Sequence, residues 1–193
     1  MREMMSMIIV LTLLSVVSGG LLAAVKSGTE VRIEEQVLKF QKAPAIKEIF
    51  PEATNNPIQE RFNVKADDVE LQVFPGKLAD GKKVVAFEAK GTGFGGPVGL
   101  MVGVDLDTDE IIGVRVTTHS ETPGIGARAK DDPSFVSQFA GKKMAANLNL
   151  KKSGGEIDAM SGATVTSGGV SQAALQAQKL YASLKPEIIK QIK

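Results

Sequence analysis

An uncharged apolar segment near the amino terminus places the strongest constraint on how this chain can fold. No charged residue occurs between Met4 and Val25, in the sequence MMSMIIVLTLLSVVSGGLLAAV. At about 1.5 Å per residue, a helix over this segment spans the hydrocarbon core of a bilayer, which is about 30 Å thick. A cleaved signal peptide usually has a shorter apolar core, and a buried soluble helix is seldom apolar on every face. We therefore predict a transmembrane helix, with residues 1–27 as a membrane anchor.

The charges that flank this segment do not determine its orientation. Arg2 precedes the segment, whereas Lys26, Arg32 and Lys39 follow it, which opposes a simple positive-inside count. Long domains that follow an anchor translocate largely regardless of local charge, however. We therefore expect a single-pass protein of the cytoplasmic (inner) membrane, with residues 28–193 forming a domain on the extracytoplasmic side.

The overall composition excludes several classes of function. The 193-residue chain has 23 Lys and Arg against 22 Asp and Glu, which leaves a formal net charge of +1. Because nucleic-acid backbones select concentrated positive charge, nucleic acid is not an expected partner. The chain has no cysteine, which excludes disulfides, thiolate metal sites and cysteine nucleophiles. His119 is the one histidine, so a histidine metal cluster is excluded and no metal site is expected.

The pattern after the anchor predicts an α+β domain. The stretches VRIEEQVLKFQKA and AIKEIF have helical spacing, whereas VELQVF and KKVVAFEAKG alternate like strands. Two β-branched runs on either side of DTDE indicate a hairpin with a solvated turn. Asp132 and Pro133 are typical of a helix start, and an apolar stripe over 170–184 predicts a long helix that ends at Pro186. Because the strands precede the helices without βαβ alternation, we expect a mainly antiparallel sheet packed with helices.

A loop rich in hydroxyl and glycine residues, DAMSGATVTSGG, lies directly before the long helix. Backbone N–H groups at a helix N-terminus lack intrahelical partners and carry partial positive charge, so they can bind a phosphate without a basic side chain. Small residues allow close approach to the backbone, and hydroxyls can donate to phosphate oxygens. The small residues are Gly162 and Ala163, and the hydroxyl residues are Ser161, Thr164, Thr166 and Ser167. The alternative is that one of these hydroxyls only caps the helix.

The heptad DAMSGAT in this loop resembles the flavinylation signature of the FMN-binding domains of two subunits. These are RnfG of the Rnf electron-transport complex and NqrC of the sodium-pumping NADH:quinone reductase. The signature reads Asp, two variable residues, Ser or Thr, Gly, Ala, then Thr or Ser, and Asp158 to Thr164 match every fixed position. The resemblance implies FMN attached covalently through a phosphoester to Thr164. It also implies that an external flavin transferase of the ApbE type makes this bond from FAD and magnesium.

A second segment, THSETPGIGAR, resembles the ETPG segment of the same family. On the residues alone, Thr122, Pro123 and Gly124 indicate only a type II turn. Together with SGAT, the resemblance implies a flavin pocket that includes Glu121, Thr122, Gly124 and Ile125, with Thr122 and Ile125 against the isoalloxazine ring. The glycine-rich GTGFGGPVG also resembles a family segment, and we interpret it as a shaped loop near the ring.

The sequence is compatible with more than one role for each of two polar residues near these segments, Asp158 and His119. Asp158 either positions metal and substrate during flavin transfer or orients the loop by hydrogen bonding. A histidine at a strand end, such as His119, is more often solvated or structurally bonded than functional, although it is also a group that can influence flavin protonation.

The resemblance covers nearly the whole chain, and the length is nearer to RnfG than to NqrC. It implies an electron-relay subunit, rather than a stand-alone enzyme with catalytic residues, in an Rnf-like complex that couples electron transfer between ferredoxin and NAD to ion movement. The other subunits of that complex are then the expected partners. Three alternatives remain: the corresponding subunit of a sodium-pumping NADH:quinone reductase, a non-redox envelope binding protein, and a flavin reductase for a small soluble acceptor.

Overall fold

The computed structural model describes residues 2–66 and 69–192, which divide into two compact units, Met1–Phe40 and Gln41–Lys193. The first unit consists of one helix, α1 (Arg2–Val37), followed by the beginning of a π-helical turn over Leu38–Lys42. Among the described residues, this is the one helix that is long and apolar enough to cross a membrane by its length and composition.

Helix α1 is longer than the apolar segment requires. We expected the membrane helix to end near residue 27 and VRIEEQVLKFQKA to form a separate helix, but the helix continues without interruption through Val37. No proline occurs in this stretch to end it. Its 36 residues correspond to about 54 Å, which exceeds the hydrocarbon thickness of about 30 Å.

The second unit contains a five-stranded antiparallel sheet in which each strand pairs with the next strand along the chain. This confirms the predicted α+β architecture and the predicted hairpin. The first strand was not predicted: its sequence FNVKA alternates between apolar and polar residues, but it is only five residues long. The strands are β1 (Phe62–Ala66), β2 (Val69–Lys77), β3 (Lys83–Thr92), β4 (Pro97–Asp105) and β5 (Glu110–Val116).

Both faces of the central strands are covered by helices. One face, which includes Phe87 of β3 and Leu100 of β4, packs against the long C-terminal helix α5 (Thr164–Ile192). The other face packs against α2 (Ala43–Ile49), where Ile49 lies against Gly103. Because β4 is covered on both sides, every residue of this strand after its first is buried.

Helix α5 continues past the proline at which we predicted its end. Pro186 lies inside the helix, which runs on to Ile192. A proline in a helix interior removes one backbone hydrogen bond. Leu184 and Ile188 flank this position and are fully buried, so their packing favours continuation of the helix.

Two short helices connect the sheet to the loop before α5. They are α3 (Arg128–Asp131) and α4 (Pro133–Ser137). The predicted start of α4 is confirmed, because the Asp132 side chain accepts a hydrogen bond from the Ser134 backbone N–H at 3.0 Å. This cap fixes where the chain turns back toward the start of α5.

Candidate functional site

The carboxylate of Glu121 joins three segments that lie far apart in the sequence. Glu121 is only 6% exposed. Its Oε1 atom accepts a hydrogen bond from the Gly95 backbone N–H at 2.8 Å, and its Oε2 atom accepts one from the Thr166 hydroxyl. The glycine-rich loop, the ETPG turn and the start of α5 therefore meet at one buried side chain.

Two glycines make room for this carboxylate. A Cβ atom at Gly93 would lie 2.4 Å from Oε1 of Glu121, and one at Gly126 would lie 2.5 Å from Oε2. Because no real Cβ contact is that short, both positions require glycine while Glu121 stays in place. Sequence reasoning gave these glycines no role, since their function depends on an acid that is distant from one of them along the chain.

The first turns of α5 rest directly on the backbone at the end of β3. A Cβ atom at Gly91 would lie 1.9 Å from the Gly169 carbonyl oxygen, and one at Gly169 would lie 2.7 Å from the Thr92 carbonyl oxygen. The Thr92 backbone N–H also donates to Gln172 Oε1 at 2.8 Å. These contacts hold the start of α5 next to the glycine-rich loop that follows β3.

The loop before α5 forms a tight turn that is held by hydrogen bonds to a buried side chain of the helix. Ala163 N–H donates to the Met160 carbonyl at 3.1 Å, and Gly162 adopts a positive φ of 78°. The Ser167 hydroxyl accepts from Met160 N–H and donates to the Ala163 carbonyl, both at 2.9 Å, and this residue is fully buried. Ser167 therefore fixes the loop from within the first turn of α5; it does not accept from the N–H groups of that turn, as a capping side chain would.

The hydroxyl residues of the loop divide into an inner and an outer group. Thr166 and Ser167 are buried and hydrogen-bonded inward. Ser161 and Thr164 are exposed, and among the described residues the Thr164 side chain makes no hydrogen bond. Thr164 is the first residue of α5, so its hydroxyl lies at the N-terminus of a long helix and faces solvent.

The ETPG segment forms the predicted type II turn. Ile125 N–H donates to the Thr122 carbonyl at 3.2 Å, and Gly124 has a φ of 73°, as the third position of such a turn requires. Thr122 and Gly124 are exposed, and so is the apolar side chain of Ile125. Glu121 differs from its neighbours because its side chain is buried under the turn.

Three exposed apolar side chains come from the three segments that Glu121 joins. The exposed fractions are 76% for Phe94, 52% for Ile125 and 56% for Val165. Among the described residues of the second unit, the one other exposed large apolar side chain is Ile189, and it is less exposed, at 38%. Sequence reasoning missed Val165, whose signal is an apolar residue within a run of hydroxyl residues.

These features fit FMN in both of its parts. The ring of a flavin needs accessible apolar surface, which Phe94, Ile125 and Val165 offer. Its phosphate needs N–H donors and positive potential, which the N-terminus of α5 supplies beside the exposed Thr164 hydroxyl. In the part of the chain that the structure describes, no cluster of three or more His, Asp or Glu residues could hold a metal ion.

Asp158 and His119 take different positions. The Asp158 backbone forms two hydrogen bonds with the Gln138 side chain, at 2.8 and 3.2 Å, while its exposed carboxylate forms an ion pair with Lys151 at 2.6 Å. His119 Nδ1 accepts a hydrogen bond from the Glu121 backbone N–H at 3.2 Å. The loop is thus held through the backbone of Asp158, and His119 supports the ETPG turn.

Sequence comparisons agree with this description of the site. The profile of the FMN-binding domain family matches residues 93–179, which include the glycine-rich loop, the ETPG turn and the start of α5. The chain is 35% identical over 194 residues to the G subunit of the ion-translocating oxidoreductase complex of Escherichia coli O157:H7, covering 95% of this chain and 93% of that protein. The protein of the same name from Methanosarcina acetivorans is 32% identical over 168 residues, covering 86% and 88%.

Two solved structures share the fold. The C subunit of the Na(+)-translocating NADH-quinone reductase from Parabacteroides distasonis superposes with a TM-score of 0.52 at 28% identity, covering 60% of this chain and 63% of that chain. NqrC from Shewanella oneidensis superposes with a TM-score of 0.51 at 26% identity, covering 72% and 73%. The resemblance found in the sequence is confirmed: the chain belongs to the RnfG family, the G subunits of ion-translocating oxidoreductase complexes, and contains their FMN-binding domain.

Proposed function

We propose that this chain is an electron-relay subunit of an Rnf-like membrane complex and carries FMN joined by a phosphoester to the Thr164 hydroxyl. One observation carries the proposal. Of the three hydroxyl residues in the first turn of α5, Thr166 and Ser167 are buried and hydrogen-bonded inward, whereas Thr164 is exposed. Thr164 is therefore the hydroxyl that a transferase can reach at the helix N-terminus.

The residues around Thr164 divide the task of holding the cofactor. The backbone N–H groups of the first turn of α5 would hold the phosphate, and the positive φ of Gly162 turns the chain into the helix there. Phe94, Ile125 and Val165, which come from the three segments joined by Glu121, would hold the ring. When bound, FMN supplies the electron-transfer chemistry, while the protein supplies position, charge and access.

The attachment step balances with FAD as the donor. A bond forms between Thr164 Oγ1 and the phosphorus on the FMN side of the FAD pyrophosphate, and the bond from that phosphorus to the bridging oxygen breaks. AMP leaves with the bonding electron pair, and the proton of the hydroxyl is released. We expect an ApbE-type flavin transferase with magnesium to perform this step, as the DAMSGAT signature implies.

Helix α1 supports the proposed location. Its length and composition suit a single membrane crossing, so we propose residues 1–27 as the anchor in the cytoplasmic (inner) membrane. The domain over 28–193 then lies on the extracytoplasmic side, where a dissociated cofactor would be lost by dilution. A covalent tether avoids that loss, because it keeps the flavin at high effective concentration.

The proposed partners are the other subunits of a complex that couples ferredoxin and NAD to ion movement. Similarity to G subunits over most of the chain, at 35% and 32% identity, supports this assignment. The structural likeness to NqrC supports a second candidate, the corresponding subunit of a sodium-pumping NADH:quinone reductase. Purification of the intact complex distinguishes the two, because the first has ferredoxin-oxidoreductase partners and the second has quinone-reductase partners.

The decisive experiment is the intact mass of the full chain after co-expression with an ApbE-type transferase and purification in detergent. We expect the parent to gain the mass of one FMN less one water, and Thr164→Val to gain nothing. Ser153→Ala is the control, because Ser153 is an exposed hydroxyl residue of the turn Lys151–Ser153, outside the DAMSGAT signature, and its removal should leave attachment complete.

Two results would contradict the proposal. An unmodified parent, with a transferase that modifies another acceptor in the same cells, would show that the loop only caps α5. A modified Thr164→Val variant would place the attachment at a different residue.

A further inference from the structure

The guanidinium group of Arg128 lies beside the loop that leads to Thr164. Its Nη1 atom donates to the Ser161 carbonyl oxygen at 3.2 Å. Its Nη2 atom lies 3.8 Å from the Asp132 carboxylate, which is too long for a hydrogen bond, and the side chain is 42% exposed. The guanidinium group therefore lies next to the loop, and only one of its N–H donors is hydrogen-bonded to an acceptor within the described residues.

The segment that bears Arg128 packs directly on the first turn of α5. Gly126 lies so close to this turn that a Cβ atom there would be 2.7 Å from Thr166 Oγ1. Arg128 follows Gly126 by two residues, and its hydrogen-bond acceptor Ser161 precedes Thr164 by three. Arg128 and the Thr164 hydroxyl are thus attached to two segments that touch each other.

A guanidinium at this position suits a phosphate group that is joined to Thr164. A phosphodiester carries one negative charge, and arginine presents five N–H donors in a planar fork that matches phosphate oxygens. Hydrogen bonds between charged partners of this kind are stronger than neutral ones. We infer that Arg128 binds the phosphate of the tether and thereby restricts the motion of the attached flavin. This inference rests on the proposed attachment at Thr164.

A purely structural role for Arg128 makes a different prediction. In that case its one function is to donate to the Ser161 carbonyl, which the amide of Arg128→Gln can also do. Arg128→Lys, in contrast, keeps the positive charge but loses the planar fork. The glutamine variant therefore tests the charge, and the lysine variant tests whether charge restores the effect.

The experiment measures the time-resolved fluorescence anisotropy of the flavin on the full chain, purified in detergent after co-expression with the transferase. Intact mass is measured first, so that only modified protein is compared. In Arg128→Gln we expect the ratio of the slow to the fast anisotropy component, which reports held against mobile flavin, to fall about tenfold. Arg128→Lys should recover most of the parent ratio.

Two controls separate the local charge from general effects. Lys152→Gln makes the same change in net charge at an exposed residue of the turn Lys151–Ser153, and should leave the anisotropy unchanged. Raising the salt to about 1 M shortens the screening length to about 3 Å and should mobilise the flavin of the parent but not that of Arg128→Gln. Thermal unfolding of each variant shows whether the fold is intact.

The outcomes separate this inference from the proposed function. A modified Arg128→Gln variant with the anisotropy and salt response of the parent would overturn the assignment of Arg128 and leave the tether in place. An unmodified parent would overturn both. If attachment fails in Arg128→Gln but succeeds in Arg128→Lys, the positive charge is already needed when the phosphoester bond forms. This result would support the assignment.

Discussion

The two ends of helix α5 each contact an acidic residue in a connection next to the sheet, yet the polar groups at these two contacts have different roles. Toward the C-terminal end, the Tyr181 hydroxyl and the Lys185 ammonium group both donate to Asp109 Oδ1 in the β4–β5 hairpin, and the Tyr181 distance is 2.6 Å. At the N-terminal end, the Thr166 hydroxyl donates to Glu121, while the Thr164 side chain makes no hydrogen bond within the described residues.

At the C-terminal contact, the polar groups of α5 are hydrogen-bonded to the β4–β5 hairpin. Tyr181 is 3% exposed, and its ring stacks on Phe87 with centroids 6.2 Å apart. Asp109 adopts a positive φ of 56°, which is uncommon for a residue other than glycine and is held here by its two donors. Burial and the bond to Asp109 raise the pKa of Tyr181 far above its ordinary value, so this hydroxyl stays protonated. These hydrogen bonds fix the C-terminal part of α5 to the β4–β5 hairpin.

The N-terminal contact has a buried inner layer and a solvent-exposed outer layer. The buried layer of Glu121, Thr166 and Ser167 satisfies its own hydrogen bonds, and it supports an outer layer in which Thr164 faces solvent. The comparison teaches that hydroxyl residues in one short loop need not share one task. Exposure and hydrogen bonding, rather than residue type, separate those that build the site from the one available for chemistry.

Disruption of the close contact between Gly169 of α5 and the backbone at the end of β3 should have the largest effect on stability. In Gly169→Ala the new methyl group meets the Thr92 carbonyl and the Gly93 N–H, so we expect a loss of about 3 kcal/mol of unfolding free energy. The matched variant Gly168→Ala has its nearest neighbour at 4.0 Å and should gain up to about 1 kcal/mol from helix propensity. Denaturant unfolding measures both, and equal effects of the two substitutions would contradict this packing.

Removal of the buried Thr166 hydroxyl should have a smaller effect on stability, and removal of the exposed Thr164 hydroxyl should have almost none. Thr166→Val keeps the shape of the side chain but removes the donor to buried Glu121, so we expect a loss of about 2 kcal/mol. Thr164→Val, the same substitution on the exposed face, should change stability by less than about 0.5 kcal/mol. Intact mass should show the reverse order, with flavin retained in folded Thr166→Val and absent from Thr164→Val. Equal losses of stability would remove the distinction between the two layers.

The smallest effect concerns Asp109 at the other end of α5, and it depends on pH. Burial opposes ionisation of this carboxyl, but the hydrogen bonds from Lys185 and Tyr181, with the charge of Lys185, outweigh it and hold its pKa below the usual range. A carboxyl with a lowered pKa stabilises the fold above its unfolded pKa of about 3.9, and this contribution disappears as the pH falls through the folded value.

The variant Asp109→Asn tests this dependence. Because the Asp109 side chain is partly exposed, we expect a loss of about 1 kcal/mol or less at neutral pH. The difference from the parent should shrink as the pH falls below about 4, where the parent carboxyl becomes protonated. Urea midpoints measured from pH 7 to pH 3 provide the comparison, and a difference that stays constant would argue against the ion pair.

Features that depend on neighbouring residues could be predicted from the sequence. Features of this kind are the helix over the apolar segment near the amino terminus, the β4–β5 hairpin, the Asp132 cap and the ETPG turn, because each is specified by residues close together in the sequence. The heptad DAMSGAT indicated the family because its fixed residues are consecutive or nearly so.

Features that depend on tertiary contacts could not be predicted in this way. The continuation of α5 past Pro186 follows from the burial of Ile188 on the sheet, which no local propensity shows. The inward position of Glu121 depends on Gly95 and Thr166, which are distant in the sequence. The same holds for Arg128, whose carbonyl acceptor belongs to a residue 33 positions later.

The order of elements along the chain also has a consequence for biosynthesis. Each strand pairs with the strand made just before or after it, so the sheet can assemble while synthesis proceeds. Helix α5, which covers the face that includes Phe87 and Leu100, is made after all five strands. Until it emerges, the nascent chain exposes an apolar sheet face that is vulnerable to aggregation, and helix α1 has left the ribosome well before that face is covered.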